Sequence, residues 1–124
     1  MEATVNKQAA INGYAAFGAM DADAAMKDMS DSIEWVVGGD HALTGTYRGK
    51  EEVGRFWMGL LEKGFKNTPR EFIADGNKVV ALCDIEVAGE HRDSADLLTF
   101  DDAGRLIRFE TFGDQDLMNR TFAR

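Results

Sequence analysis

The chain has 124 residues, 44% hydrophobic and 29% charged, the balance of one soluble globular domain with room for a single core. Its net charge of −8 argues against a nucleic-acid partner, since phosphate binding needs clustered Lys and Arg, and no polybasic run suggests a membrane surface. The opening residues are too polar for a signal peptide, no apolar run approaches membrane-spanning length, and the lone Cys83 excludes an intrachain disulfide and fits a reducing cytoplasm.

Thr4 can cap a first helix running to about Phe17, with Ala10, Gly13, Tyr14 and Phe17 on one face. Tyr14 therefore points where the core points, either as packing with its hydroxyl led to water or as a functional group. Asp21 caps a second helix with Ala22, Ala25, Met26 and Met29 at helical spacing, and Asp31 and Ser32 end it. Ile33–Val37 alternates as a strand, with Ile33, Trp35 and Val37 on one face and Glu34 and Val36 on the other. Gly38 to Gly49 reads as a loop whose glycines form no phosphate cradle, and His41 reads as an exposed loop residue or, in the minority reading, part of a pocket rim. Two histidines far apart with no thiol nearby make no zinc site, and no carboxylate spacing supports another metal, so neither metal nor cofactor is expected.

Lys50–Lys63 carries the clearest helical pattern. Val53, Phe56, Trp57, Leu60 and Leu61 form its apolar stripe, Glu51 and Glu52 favour its start, and Gly64 stops it. Thr68-Pro69 opens a strand through Ala74 that suits a sheet edge, because proline donates no ladder bond. Asp75-Gly76-Asn77 is a tight turn into Val79–Val87. There Val79, Ala81, Cys83, Ile85 and Val87 share one side, and Cys83 on that apolar side reads as inert core.

After Ala88-Gly89-Glu90, two alternating runs, Ser94–Asp101 and Arg105–Phe112, flank the turn Asp102-Ala103-Gly104 within the stretch Ser94 to Asp114, predicting a long β-hairpin. One face carries Asp96, Leu98, Phe100, Ile107, Phe109 and Thr111. The other carries Leu97, Thr99, Leu106, Arg108, Glu110 and Phe112. Asp116–Arg124 reads as a short helix or a frayed tail. Helices first and then a run of antiparallel strands predict an α+β fold, with about three helices on one face of a curved sheet.

Tyr14-Ala15-Ala16-Phe17, Asp21-Ala22-Asp23-Ala24, Ser30 to Trp35, Gly45-Thr46-Tyr47-Arg48-Gly49, Phe72 to Gly76 and Gly104 to Phe109, in this order and spacing, resemble the SnoaL-like branch of the nuclear transport factor 2 (NTF2-like) superfamily. That superfamily includes ketosteroid isomerase, limonene epoxide hydrolase, scytalone dehydratase and polyketide cyclases. The resemblance implies a cone-shaped barrel enclosing a cavity, commonly in a homodimer. Laid against ketosteroid isomerase, Tyr14 falls on the oxyanion-hole tyrosine and Asp96 on the protonated aspartate beside it. The position of its proton-transferring aspartate holds Val37, which carries no proton. Against the epoxide hydrolase, Asp96 stands for one acid, but Ser94 and Thr111 take the places of the arginine and the second acid. Dehydratase chemistry asks for pocket histidines, and His91 lies near a strand start instead.

Three readings follow. The first is an isomerase, cyclase or dehydratase on a small apolar carbonyl compound, with Tyr14 and Asp96 donating to an oxygen that gains charge. The second is a non-catalytic binding module, and the third a structural or assembly role for a satisfied buried pair. By alternation, Phe17, Trp35, Val37, Phe56 and Leu60 should line the cavity, joined by Ala81, Ile85, Leu98, Phe109 and Thr111. Asp96 is expected inward with a raised pKa, the alternative being a charged residue at the cavity mouth, solvated or paired with Arg92 or another cation. The outer sheet face, with Val36, Val80, Leu82, Leu97, Leu106 and Phe112, is expected to pack against a second copy.

Overall fold

The computed structural model describes residues 2–113 and 115–124; Met1, and Asp114 at the end of the hairpin stretch, lie outside the described residues. Helix α1 spans Glu2–Gly18 and α2 Ala22–Ala25; strands β1 (Met29–Val37) and β2 (Gly45–Arg48) lead into α3 (Gly49–Glu62). Strands β3 (Lys66–Asp75), β4 (Lys78–Val87), β5 (Glu90–Phe100) and β6 (Leu106–Gly113) follow, and α4 (Asp116–Thr121) closes the chain. The strands form one curved, unclosed sheet in the order β2-β1-β6-β5-β4-β3. Every neighbouring pair is antiparallel except β1 with β6. Helix α1 packs over β3 and β4, and α3 over β1 and β2, giving the expected α+β arrangement of helices on the concave face.

The strongest local patterns act as the physics requires. Val79, Ala81, Cys83, Ile85 and Val87 all face the core, with exposures of 7% or less. Helix α3 buries Val53, Phe56, Trp57 and Leu60, and ends where Gly64 adopts φ +70°. There Phe65 N–H donates to Leu60 O and Gly64 N–H to Leu61 O, the paired bonds of a glycine-terminated helix. Pro69 sits in edge strand β3, where the register shifts between Pro69 and Glu71, so its missing N–H costs no central ladder bond. Between β5 and β6, the Asp101 carboxylate accepts from the N–H groups of Ala103 and Arg105, each at 2.9 Å.

Several expectations need correction. Thr4 lies inside α1 rather than capping it. Asp21 does cap α2, accepting from Ala24 N–H at 3.1 Å, but that helix has only four residues. Met29 opens β1 instead of continuing the helix, because it pairs with Leu106 on β6 and tertiary pairing overrides weak helical spacing. The expected loop 38–49 contains strand β2, held against Glu34–Val37. The β5–β6 ladder shifts between Thr99, which faces Arg108, and Phe100, which faces Leu106. This bulge at Ile107 brings Leu106 into the core at 8% exposure, removing it from the outer face.

The C-terminal residues are packed, not frayed: Leu117, Met118 and Phe122 are buried. A six-residue helix has no stability of its own, so α4 exists by docking. It docks on the loop that carries His41. Ala42 N–H donates to Phe122 O at 2.7 Å, Asp40 N–H donates to Asn119 Oδ1 at 2.7 Å, and Arg124 pairs with Asp40. Gly39, at φ +85°, sits where a Cβ would meet Asn119 Oδ1 and Gln115 Oε1 at 2.9 Å. His41 is therefore fully buried, not exposed; its Nδ1 accepts from Leu43 N–H at 3.1 Å. Burial first, then the nearby Arg124 cation, lowers its pKa, so the ring is neutral. No helix among the described residues is long and apolar enough to cross a membrane.

Candidate functional site

Two cavities lie between the helices and the concave face of the sheet. The front one, about 90 Å³, is walled by Tyr14 and Phe17 from α1, Trp35 and Val37 from β1, and Phe56, Trp57 and Leu60 from α3. The sheet adds Ile85, Ser94, Asp96, Phe109 and Thr111, and the mouth is edged by Phe65, Asn67, Phe112, Gln115 and Met118. The rear one, about 70 Å³, lies against the small residues Ala9, Ala10 and Gly13 of α1 and Ala24 and Ala25 of α2. Tyr14, Phe17, Trp35, Trp57 and Phe109 border both, so this aromatic group forms the partition. It is rigid by construction: Trp35 stacks on Phe109 with centroids 3.7 Å apart and 8° between planes, and stands edge-on to Trp57 at 5.6 Å.

Strand alternation delivers Asp96 to the inner face at 2% exposure, and α1 delivers Tyr14 opposite it. The Tyr14 hydroxyl donates a hydrogen bond to Asp96 Oδ2, and Cys83 Sγ–H approaches the same oxygen at 3.7 Å. The Asn67 amide also favours the anionic form of Asp96. The Tyr14 ring is held edge-on to Phe72 at 5.6 Å. Desolvation raises the Asp96 carboxyl from 3.8 to about 6, opposed by Tyr14, Cys83 and Asn67, which favour the anion. Burial, and then the Asp96 charge, push Tyr14 well above its ordinary range and Cys83 up to about 12. Tyr14 and Cys83 are therefore neutral donors and Asp96 the acceptor. The upward shift was expected from the sequence; the direction of the hydrogen bonds was not, since a neutral Asp96 donating outward was anticipated.

Of the other residues singled out from sequence, two lie away from the front cavity. Leu98 borders the rear one, and Ala81 is fully enclosed beneath the sheet, where it pairs with Asp96 across β4 and β5 and borders neither. Phe112, assigned to the outer face, edges the mouth instead and is 51% exposed. Arg92 does not reach Asp96; it bonds His91 O and faces Glu90. Glu34 is on the convex face with Arg108 and Arg48, and His91 is there with Asp84. Among the described residues lining the front cavity, Asp96 is the one charged group, and no described cluster of three side chains could hold a metal.

Asn67, Phe65, Gln115 and Met118 escaped the sequence reading. Asn67 precedes Pro69 in a segment that reads as loop, and its inward position follows only from the register Asn67–Ile85. Gln115 and Met118 reach the cavity because α4 docks, which no local pattern announces. Trp57 was visible on the α3 stripe as core.

The profile of the SnoaL-like domain matches residues 11–109, from α1 into β6, including Tyr14 and Asp96. Comparison with curated protein sequences gave no match. Among solved structures, TerC co-crystallised with polyporic acid is 27% identical, with 95% of this chain and 98% of that one covered and a TM-score of 0.83. An NTF2-like protein of Burkholderia pseudomallei is 24% identical over 97% and 98% of the two chains, with a TM-score of 0.84. A candidate polyketide cyclase of Sinorhizobium meliloti is 18% identical over 85% and 94%, with a TM-score of 0.72. With the profile covering most of its length and the curved sheet and cavity in place, the chain has the NTF2-like fold and belongs to the SnoaL-like family.

Proposed function

We propose that the front cavity takes a small, uncharged, mostly aromatic carbonyl compound and that Asp96, steadied by Tyr14, moves a proton next to its carbonyl, as in an isomerisation, cyclisation or dehydration. The observation that carries this reading is a carboxylate with 2% exposure, bordering an apolar cavity, with its pKa at about 6. A base is most effective when its pKa lies near the working pH, and a dry site strengthens every charge interaction within it. Asp96 thus fills the role that Val37 cannot. When Asp96 has taken the proton, its own O–H and the released Tyr14 O–H can both donate to the oxygen that has become negative. Aromatic walls at Trp35, Phe56 and Phe109 suit a planar ligand, and the absence of a described cationic lining residue disfavours an anionic one. TerC, 27% identical and crystallised with polyporic acid, supports a small organic ligand in this fold.

A second reading, a binding module without catalysis, is favoured by one feature. Tyr14 and Asp96 already satisfy each other, and no second acid or base lines the cavity among the described residues. Proton–deuterium exchange on a panel of aryl ketones and aryl 1,3-diketones, followed by NMR, separates the two. Exchange accelerated by the wild type and lost in Asp96→Asn, with binding kept, supports catalysis. Binding without any Asp96-dependent exchange across the panel supports the binding module.

A further inference from the structure

The proposed proton transfer leaves one need unmet. Before Asp96 takes the proton, the ligand's carbonyl oxygen must be held, and the Tyr14 hydroxyl is already spent on Asp96. Among the other polar residues of the front cavity, Trp35 Nε1 and Asn67 Oδ1 are sealed in the packing, and Gln115 is engaged with Gly113 O at 3.3 Å. Ser94 and Thr111 differ from these: both border the cavity, and neither hydroxyl has a hydrogen-bond partner among the described residues. Both residues are half-buried, and neither oxygen is among the unpartnered atoms sealed from solvent, so a water-sized group reaches each.

Strand geometry turns both hydroxyls toward the ligand. Thr111 stands directly across the β5–β6 ladder from Asp96, and Ser94 lies two residues before Asp96 on β5, opposite the core residue Cys83 on β4. Cross-strand partners and residues two apart share a face, so both lie on the concave wall with Asp96, roughly 5 Å from it across the ladder and about 7 Å along the strand. The β6 partner of Ser94 is Gly113, so no side chain covers the serine from that side; a Cβ built there would stand 3.8 Å from Ser94 Cβ. On the far side of Asp96 along β5 comes Leu98, which borders the rear cavity. The wall is therefore apolar inward of Asp96 and hydroxylated toward the mouth.

We propose that Ser94 and Thr111 form the oxygen-holding pair of the front cavity, donating to the ligand's carbonyl oxygen while Asp96 faces the carbon beside it, so that the substrate enters ring first and keeps its carbonyl toward the mouth. This deepens the reading given under Proposed function and rests on its carbonyl ligand. In the step itself the proton passes from that carbon to Asp96 and the C–H electron pair becomes the C=C bond of the enolate. The carbonyl π pair moves onto the oxygen held by the two hydroxyls, and return of a proton reverses the step. A hydroxyl's hydrogen bond strengthens as its acceptor gains charge, so the pair acts more on the transition state than on the bound ground state. A ligand without oxygen can fill the same apolar walls but gains nothing from the pair.

Benzoylacetone, an aryl 1,3-diketone, and butylbenzene, which keeps its ring and chain length without oxygen, test the pair on the full chain. Deuterium exchange at the carbon between the carbonyls, followed by NMR, should fall about tenfold in kcat/KM in Ser94→Ala and in Thr111→Val, mostly through kcat, the worth of one hydrogen bond to a charged oxygen. Ser94→Thr and Thr111→Ser, which keep a hydroxyl, should retain most of the exchange, and calorimetry should show butylbenzene bound alike by all. Unchanged exchange in either hydroxyl-free variant overturns the pair while leaving Asp96 and its carbonyl ligand standing. A loss matched by an equal loss of butylbenzene binding marks a packing role and overturns it too. If the wild type binds benzoylacetone without exchanging it, the catalytic reading falls and the pair is judged by affinity: weakening of about fivefold in both hydroxyl-free variants keeps it, and none overturns it. A wild type that neither binds nor exchanges benzoylacetone overturns the pair together with the carbonyl-ligand reading beneath it.

Discussion

Asp96→Asn should make the protein more stable near neutral pH while removing its proposed chemistry. In the folded chain the carboxyl titrates at about 6 against 3.8 when unperturbed, a difference of about 2 units. Each unit corresponds to about 1.4 kcal/mol, so near pH 7 the buried charge costs roughly 3 kcal/mol. The sign follows from proton counts. Below 3.8 both states hold the proton and Asp96 contributes no penalty; between 3.8 and about 6 the unfolded chain releases it while the folded chain keeps it, so stability falls as pH rises. Above that window the penalty is constant. Asparagine keeps an oxygen for Tyr14 and carries no charge, though it forfeits about 1 kcal/mol where a charged acceptor had strengthened its bonds. Urea unfolding of both proteins across pH should show the variant ahead by about 2 kcal/mol near neutrality, with the gap closing toward pH 4. A gap that is absent, or independent of pH, refutes the claim that desolvation dominates at this site.

Further outcomes follow from the same structure. Tyr14→Phe removes the donor that holds Asp96 as an anion, so the Asp96 titration seen by carbon-13 NMR should move above about 6, and an unmoved titration would contradict the pairing. Because burial lowers the His41 pKa from 6.5, the unfolded chain takes up a proton that the folded ring refuses, and stability should fall as pH drops below 6.5. In His41→Gln that part of the acid slope should disappear, as measured by urea midpoints. Gly39→Ala forces a Cβ to within 2.9 Å of Asn119 and Gln115 at φ +85° and should cost about 1–3 kcal/mol. Hydrogen exchange should then show the loss concentrated at residues 115–122. We also propose that two copies pack through the convex face around Val36, Val80, Leu82 and Leu97; light scattering should give a dimer at micromolar concentration, and Val80→Arg a monomer.

What the sequence revealed depended on whether a residue's neighbours are local. The run Val79–Val87 is buried on one side of its period and half-buried on the other, so alternation alone identified its core face. The same rule turned Asp96 inward, and the resemblance set Tyr14 beside it. Leu106 left the outer face for the core because a bulge depends on how two strands settle against each other, which neither strand's sequence records. His41 looked exposed because its loop is polar and glycine-rich. What buries it is α4, some eighty residues later, and α4 is itself ordered by long-range docking. Asn67 was lost for a related reason: the bulge beside Pro69 breaks the alternation that would have shown its direction. Rigid elements with short-range periods are legible, and the residues that close the cavity mouth are placed by long-range docking.

The arrangement around Asp96 bears on why an acid is there. Packing does not require one, since an amide or a small apolar residue could fill the same space without the cost of desolvating a charge. Nor does the acid answer a buried cation, because no described lining residue of the cavity carries positive charge. Instead the surroundings consist of neutral donors, Tyr14, Cys83 and Asn67, which lower the cost without cancelling it and leave the pKa at about 6. A salt bridge would have held the carboxylate ionised, and a wholly apolar site would have held it protonated. Neutral donors leave both states within reach near physiological pH, and that is the condition for a group that takes up a proton and gives it back. The fold adds the second requirement, access: Asp96 is sealed from bulk water yet forms part of a cavity wall, so the proton it exchanges is that of whatever occupies the cavity.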